Sequence, residues 1–245
     1  MTAATRRERD KAETDREIRH QARVLLVEQG SEAVTLRAIA RKVGITAPAL
    51  YRYYTSREDL IEHIRTDICT DLAAELNDDL AELPESDVLG QVFAICRGFR
   101  RWAIAHPQEF SLVFASPAEP SAGEASTQIV VPAADPFGQV FLAVAAKVLT
   151  TTTLAAPPDD SVPAELRADL ETFRANLMAT IAEAGFGVPA DALGVGTAYA
   201  ILKFWVRLYG QIALEVFGRF PFAVAKPEPL FEALLTDIMQ QVGLT

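Results

Sequence analysis

Between Glu32 and Glu58 the chain carries Arg37, Arg41, Lys42, Arg52 and Arg57 and no carboxylate at all. That window has a local charge of +5 in a protein whose formal net charge is -10. Interleaved with the cations are Tyr51, Tyr53 and Tyr54, and Thr35, Thr46 and Ser56 stand where helices should begin. A guanidinium forks onto phosphate or the acceptor edge of guanine, and a phenol bonds phosphate while its ring packs on sugar or a thymine methyl. Hydroxyls beside the free N–H groups of a helix N-terminus favour an anion as well. The chemistry shared by these residue types is recognition of a polyanion, and the tyrosines pose a question of role, since a ring can equally be core.

Short helices must position them. Thr35 caps "LRAIARKV", in which Leu36, Ile39, Ala40 and Val43 form one apolar face, and Gly44 ends it in a turn that favours positive φ. Thr46 then caps "APALYRYY", with Pro48 in the first turn, where its missing N–H is harmless. On this second short helix Ala47, Leu50 and Tyr54 share one face, which leaves Pro48, Ala49, Tyr51 and Arg52 pointing outward. A longer helix precedes the pair, from about Asp10 to Gln29, with Ile18, Ala22, Leu25 and Leu26 at helical spacing and Gly30 after it. Another follows from Ser56, where "SREDL" reads as a capping box with Asp59 in place of Glu, and it continues towards Leu83 and Pro84. Two short helices around Gly44-Ile45-Thr46, flanked by longer ones, have the layout of a helix-turn-helix.

The remainder also reads as helix: 87–105, 107–115, 135–154, 163–184, 189–217 and 228–242, each bounded by Pro, Gly or Asp. The Pro- and Ser-rich stretch 116–134 is expected to be a mobile loop. Charge divides the chain: residues 1–65 hold 13 Lys+Arg against 10 Asp+Glu, and residues 66–245 hold 10 against 23. A small basic module on an acidic body explains that asymmetry. Cys69 and Cys96 lie far apart in apolar helical patterns, which suggests neither a disulfide framework nor a thiolate metal site. The first residues lack an apolar signal region and no uncharged stretch reaches membrane-spanning length, so a cytoplasmic protein without a membrane partner is expected.

Residues 35–54, "TLRAIARKVGITAPALYRYY", with Ser56-Arg57-Glu58-x-Leu60 beyond them, closely resemble the N-terminal domain of TetR-type transcriptional regulators. The resemblance covers about residues 13–73. It implies an all-α chain: a flexible arm over 1–12, a helix-turn-helix DNA-binding domain over 13–73 with its motif at 35–54, and a helical effector-binding and dimerisation domain over 74–245. By that similarity Thr35, Arg37, Thr46, Pro48, Ala49, Tyr51, Arg52, Tyr53 and Arg57 match positions that touch DNA, and Tyr54 matches a core position. Position 57 is usually Lys in this family, and Arg keeps the charge. Trp205, Tyr209 and Gly210 are similar to a C-terminal type that carries Trp, His and Gly at that spacing, with Tyr209 replacing the His.

What the resemblance implies is a ligand-responsive regulator, a repressor released from double-stranded operator DNA by a small apolar or amphipathic molecule. A homodimer would read two half-sites about 34–36 Å apart. The long apolar segment 198–218 together with 228–242 could supply its interface, giving Ala198, Leu202, Trp205, Leu208, Tyr209, Ile212, Leu234 and Ile238 as candidate dimer residues. The rings Phe99, Trp102, Phe110, Phe114, Phe137, Phe141 and Phe173 are candidate pocket residues for an unidentified effector. No Gly-rich phosphate loop, G-x-S-x-G or H-E-x-x-H occurs, so neither an enzyme nor a cofactor is expected. No histidine pairs with another at metal-ligand spacing, and no metal is expected. The competing readings are a helical adaptor that uses its helix-turn-helix on protein, and a DNA-binding protein without small-molecule control. The adaptor would not require a carboxylate-free basic window.

Overall fold

A computed structural model describes residues 6–115, 135–152, 154–189 and 192–244, leaving aside the side chain of Arg7. The described residues form ten α-helices and three short 3-10 turns: α1 (Arg6–Gln29), α2 (Leu36–Val43), α3 (Ala47–Leu50), α4 (Arg57–Ala81), α5 (Val88–Ala105), α6 (Pro107–Phe114), α7 (Pro136–Thr151), α8 (Arg167–Glu183), α9 (Val195–Val216) and α10 (Glu228–Gln241). The all-α expectation holds. Four boundaries differ from it by several residues: α1 starts at Arg6 and takes in half of the expected arm, α3 ends at Leu50 rather than running on to Tyr54, α8 starts at Arg167 rather than near 163, and α9 starts at Val195 rather than near 189. The stretch 116–134 lies outside the described residues.

The chain divides into two compact units, Met1–Asp71 with His106–Glu119, and Leu72–Ala105 with Pro120–Thr245. The first unit takes in α6 as well as the helices up to Asp71. The reason is a buried charge. Glu109 of α6 is 2% exposed, its Oε1 accepts from Arg23 Nε of α1, and its Oε2 lies 2.8 Å from His106 Nδ1. A carboxylate this buried is costly unless paired, and both its partners lie in the first unit.

In the first unit Ile18, Ala22, Leu25 and Leu26 of α1 meet Ile39, Ala40, Leu50 and Leu60 in one core, the faces expected from their spacing. In the second unit α5 packs on α7 and α9, α8 packs on α7 and α9, and α10 packs on α9. Phe99, entirely buried, anchors a ring cluster with Phe137 at 5.0 Å, Trp205 at 6.0 Å and Phe141 at 6.2 Å. Ring pairs at these separations add to area burial by about 0.5–1.5 kcal/mol each. The buried Arg100–Glu215 pair, 2.7 Å apart, ties α5 to α9. The start of α9 is held by Asp159, whose Oδ1 accepts from the Gly196 N–H at 2.8 Å. A Cβ at Gly196 would lie 1.8 Å from the Pro157 carbonyl oxygen, so only glycine fits this approach.

Candidate functional site

Thr35 and Thr46 both have extended backbone and act as N-caps: Thr35 Oγ1 accepts from Ala38 N at 3.2 Å, and Thr46 Oγ1 accepts from Ala49 N at 3.3 Å. Each cap stabilises its helix by about 1 kcal/mol and leaves the hydroxyl hydrogen free for a second partner. Between them Gly44 takes φ 76°, and Ile45 N donates to Ala40 O at 3.0 Å, which closes α2 and redirects the chain into α3. The strip between the two helices is thereby fixed by local chemistry alone.

On α3 and the turn after it, the tyrosines separate. Tyr54 is 1% exposed, and its hydroxyl donates to Asp15 Oδ1 of α1 at 2.6 Å. Burial, then the bond to Asp15, pushes its phenol far above the ordinary tyrosine value, so it remains a donor. Tyr51 is 57% exposed, Arg52 is exposed beside it, and Tyr53 is half-buried with Lys11 Nζ of α1 6.0 Å from its ring centroid. Pro48 is exposed and Ala49 half-buried.

The five cations also separate. Arg37, Arg41 and Arg52 are exposed and form no ion pair among the described residues. Lys42 pairs with Glu28 at 3.5 Å, which cancels part of the +5 window. Arg57, expected at a phosphate, has partners within the chain. Its Nε donates to Val34 O at 2.8 Å and its Nη2 to Ser31 O at 2.7 Å, so the guanidinium clamps the start of α4 to the turn before α2. Sequence spacing alone could not reveal this, because both acceptors are backbone carbonyls. The capping box at Ser56 holds with one change of partner: Ser56 Oγ accepts from Asp59 N, and Asp59 Oδ2 accepts from the N–H of Thr55 at 2.7 Å. The bonds from the Thr55 N–H and hydroxyl hold the Asp59 carboxyl below the usual carboxylate pKa.

The second unit holds a cavity of about 580 Å³, within the size range of small-molecule sites. Its walls include Val92 and Ile95 of α5, Phe137, Phe141 and Leu142 of α7, Leu170 and Phe173 of α8, Ile201 and Trp205 of α9, and Met239 of α10, with Asp169 as the one charged side chain among the described lining residues. Of the rings expected to line a pocket, Phe137, Phe141 and Phe173 do so. Phe99 and Trp102 do not, being 0% and 2% exposed within the core, and Phe110 and Phe114 belong to α6 in the first unit, where they pack on each other at 5.4 Å. Aliphatic lining residues such as Leu170 and Ile201 escape sequence reasoning because a cavity wall and a packed core look alike in composition.

The candidate dimer residues require similar sorting. Ala198, Leu208, Ile212 and Ile238 are buried within the single chain, which removes them from any outer face. Leu202, Trp205 and Ile238 line the cavity, Tyr209 stacks on Trp205 at 6.2 Å, and Leu234 is half-buried. The apolar residues that α9 leaves outside are Leu202 at 38%, Val206 at 60%, Leu214 at 36% and Phe217 at 41% exposure.

A helix-turn-helix in one unit and an apolar cavity in the other define a class, the two-domain helical regulators of transcription. Residues 18–64 match the family described as "Bacterial regulatory proteins, tetR family", and residues 92–238 match "Tetracyclin repressor-like, C-terminal domain". The chain belongs to the TetR family of DNA-binding transcriptional regulators, whose members are not enzymes. It is 31% identical over 206 residues to the HTH-type transcriptional regulator Rv1816 of Mycobacterium tuberculosis, covering 80% of this chain and 77% of that one. Among solved structures it is similar to the regulatory protein SCO4313, with a TM-score of 0.61 and 26% identity over 96% of this chain and 100% of the other. It shares the fold of a protein of unknown function from Rhodococcus sp. RHA1, with a TM-score of 0.55 and 16% identity over 94% and 95% of the two chains. Among the described residues no helix is long and apolar enough to cross a membrane, and no cluster of three or more potential metal ligands occurs.

Proposed function

We propose that this regulator is a repressor that binds operator DNA as a homodimer and is released when a small apolar or amphipathic molecule fills the cavity of its second unit. The observation that carries the reading is that cavity, about 580 Å³ with one charged side chain among the described residues of its walls. An apolar concavity of this size with few polar groups in its walls is the usual form of a small-molecule site.

On the DNA side, Thr35, Arg37, Thr46, Pro48, Ala49, Tyr51, Arg52 and Tyr53 form the contact surface. Arg37 and Arg52 neutralise phosphate or fork onto guanine, the threonine hydroxyls donate to phosphate, and Tyr51 spans the groove edge. The dimer face is the outer side of α9 at Leu202, Val206, Leu214 and Phe217. Apolar side chains left exposed along one helix favour a second copy of the same helix, and two-fold pairing doubles the half-site contacts.

Control requires only that the ligand bind better to a conformer in which the two recognition helices no longer match the half-site spacing. The helix α4 is the natural carrier of such a change, since Arg57–Asp71 cluster with the first unit and Leu72–Ala81 with the second. A coupling of about 1–3 kcal/mol is typical for such regulators, and by reciprocity operator DNA weakens the ligand by the same factor. Fluorescence anisotropy with DNA from upstream of the gene tests the reading: specific binding tighter than to random DNA is expected, with release by cavity ligands. Equal affinity for both DNAs rejects the assigned surface, and specific binding that no cavity ligand weakens rejects the control.

A further inference from the structure

We infer that the cavity selects an apolar cation and discriminates against carboxylates, with Asp169 as the residue that reads the charge. This rests on the cavity being the effector site.

Among the described residues Asp169 is the one ionisable side chain in the cavity wall. It stands in the first turn of α8, is exposed, and makes no ion pair or hydrogen bond among the described residues. The cations on the helices around it do not compensate it. Lys147 Nζ donates to Gln91 Oε1 at 3.3 Å, Arg167 donates to the carbonyl oxygens of Val162 and Asp160, Lys203 sits 4.5 Å from the Tyr199 ring centroid, and Arg207 donates to Gln241 Oε1 at 2.9 Å. Neither these four nor Arg174 of α8 lines the cavity.

The rest of the wall points the same way. Phe137, Phe141, Phe173 and Trp205 are among the lining residues, and a cation held over the face of an aromatic ring is attracted where an anion is not. A carboxylate carried into these walls would lose its hydration and gain no cationic partner, which is strongly unfavourable. An ammonium group at Asp169 keeps part of its water, because the carboxylate is exposed, while its apolar chain fills the interior. Beyond the cavity, residues 66–245 hold 10 Lys+Arg against 23 Asp+Glu, so the long-range field also favours a cation.

Three probes of equal chain length decide the matter: decyltrimethylammonium, 1-decanol and decanoate, each below its micelle-forming concentration. They are titrated into the full chain by calorimetry, with Trp205 fluorescence as a second readout. The cation should bind tightest and decanoate weakest, with roughly a fivefold margin of cation over alcohol, the upper end for a partly solvated ion pair. Asp169→Asn should erase that margin and leave decanol unchanged, and Asp169→Lys should move the preference to decanoate. Decanoate binding as tightly as the cation, or a margin that survives Asp169→Asn, overturns the proposal. If all three probes bind alike, the effector site stands and only the charge selection falls. If none binds, both fall together.

Discussion

The Tyr54 hydroxyl donates to Asp15 Oδ1 at 2.6 Å, and the same Asp15 lies 3.3 Å from Arg19, which in turn pairs with Asp67 at 2.6 Å. This bond joins the end of the helix-turn-helix to α1, and Arg19 carries the connection on to α4. Tyr54→Phe removes the hydroxyl while keeping the ring in place. The expected cost is about 1–2 kcal/mol of stability, because Asp15 loses a charge-assisted partner in a half-buried position. Urea unfolding measures it, and operator affinity well below the unfolding transition should stay at the wild-type value.

Arg57 provides a sharper distinction. A phosphate contact would contribute about one unit to the salt dependence of operator binding, whereas a clamp onto Ser31 O and Val34 O contributes none. Arg57→Ala should therefore lower stability by about 1–2 kcal/mol while the slope of log affinity against log salt remains unchanged. A slope reduced by one would return Arg57 to the DNA surface.

Arg37→Ala and Tyr51→Ala should show the converse. Both side chains are exposed, so helical content and unfolding midpoint should be unaffected. Operator affinity should fall by about 1–3 kcal/mol for each, and the salt slope should fall by about one for Arg37 alone. Anisotropy titrations at three salt concentrations separate these outcomes.

The dimer face is tested by Val206→Glu, which places a carboxylate on the most exposed position of the α9 stripe. Sedimentation should show the wild type as a dimer and the variant as a folded monomer at the same concentration. Operator affinity should drop by at least about 100-fold, since the linked second half-site is lost. Leu208→Glu at a fully buried position serves as contrast, because it should prevent folding instead.

Glu232 sets a pH dependence. The hydrogen bonds from Arg97, at 2.8 and 2.6 Å, hold its carboxyl below the usual glutamate value. A folded-state value below the unfolded one means that the stabilisation is complete above the unfolded value of about 4.3 and is lost as pH falls through the folded value. Glu232→Gln should therefore be less stable than wild type at pH 7, by at most about 1 kcal/mol for a solvent-accessible pair, and should match it at the acid end. Urea midpoints of both proteins from pH 7 down to pH 3 provide the comparison.

The helix-turn-helix was legible in the sequence because its signals are local. Thr35, Gly44, Thr46 and Pro48 each act on backbone within a few residues, and the alternation of Leu50 and Tyr54 with Tyr51 and Arg52 follows from helical geometry. Tyr54 lies beyond the end of α3, but its N–H donates to Leu50 O at 3.2 Å, so the turn keeps it in the phase that its spacing from Leu50 predicts. The second unit was harder to read. Phe99 and Phe137 are ring neighbours 5.0 Å apart and both deeply buried, yet only Phe137 lines the cavity, and nothing in their residue type records which side faces the space. Ile212 and Leu214 sit two residues apart on α9, one fully buried and the other 36% exposed, within a segment apolar on more than one face. Where apolar residues surround a helix, periodicity cannot say which face meets the core. The Arg57 clamp and the assignment of α6 to the first unit rest on long-range polar partners, which spacing does not encode.

At the start of α9, the contact of Gly196 with Pro157 carries a further consequence. Any side chain there would have to displace the backbone at Pro157, 1.8 Å from where its Cβ would stand. In a saturation screen scored by loss of DNA binding, every replacement of Gly196 should therefore register as a null allele, as severe as a lesion in the recognition helix. Intolerance at this site would mark a steric keystone of the second unit, and a map of sensitive positions would need protein abundance measured alongside DNA binding to tell it from a residue that reads DNA.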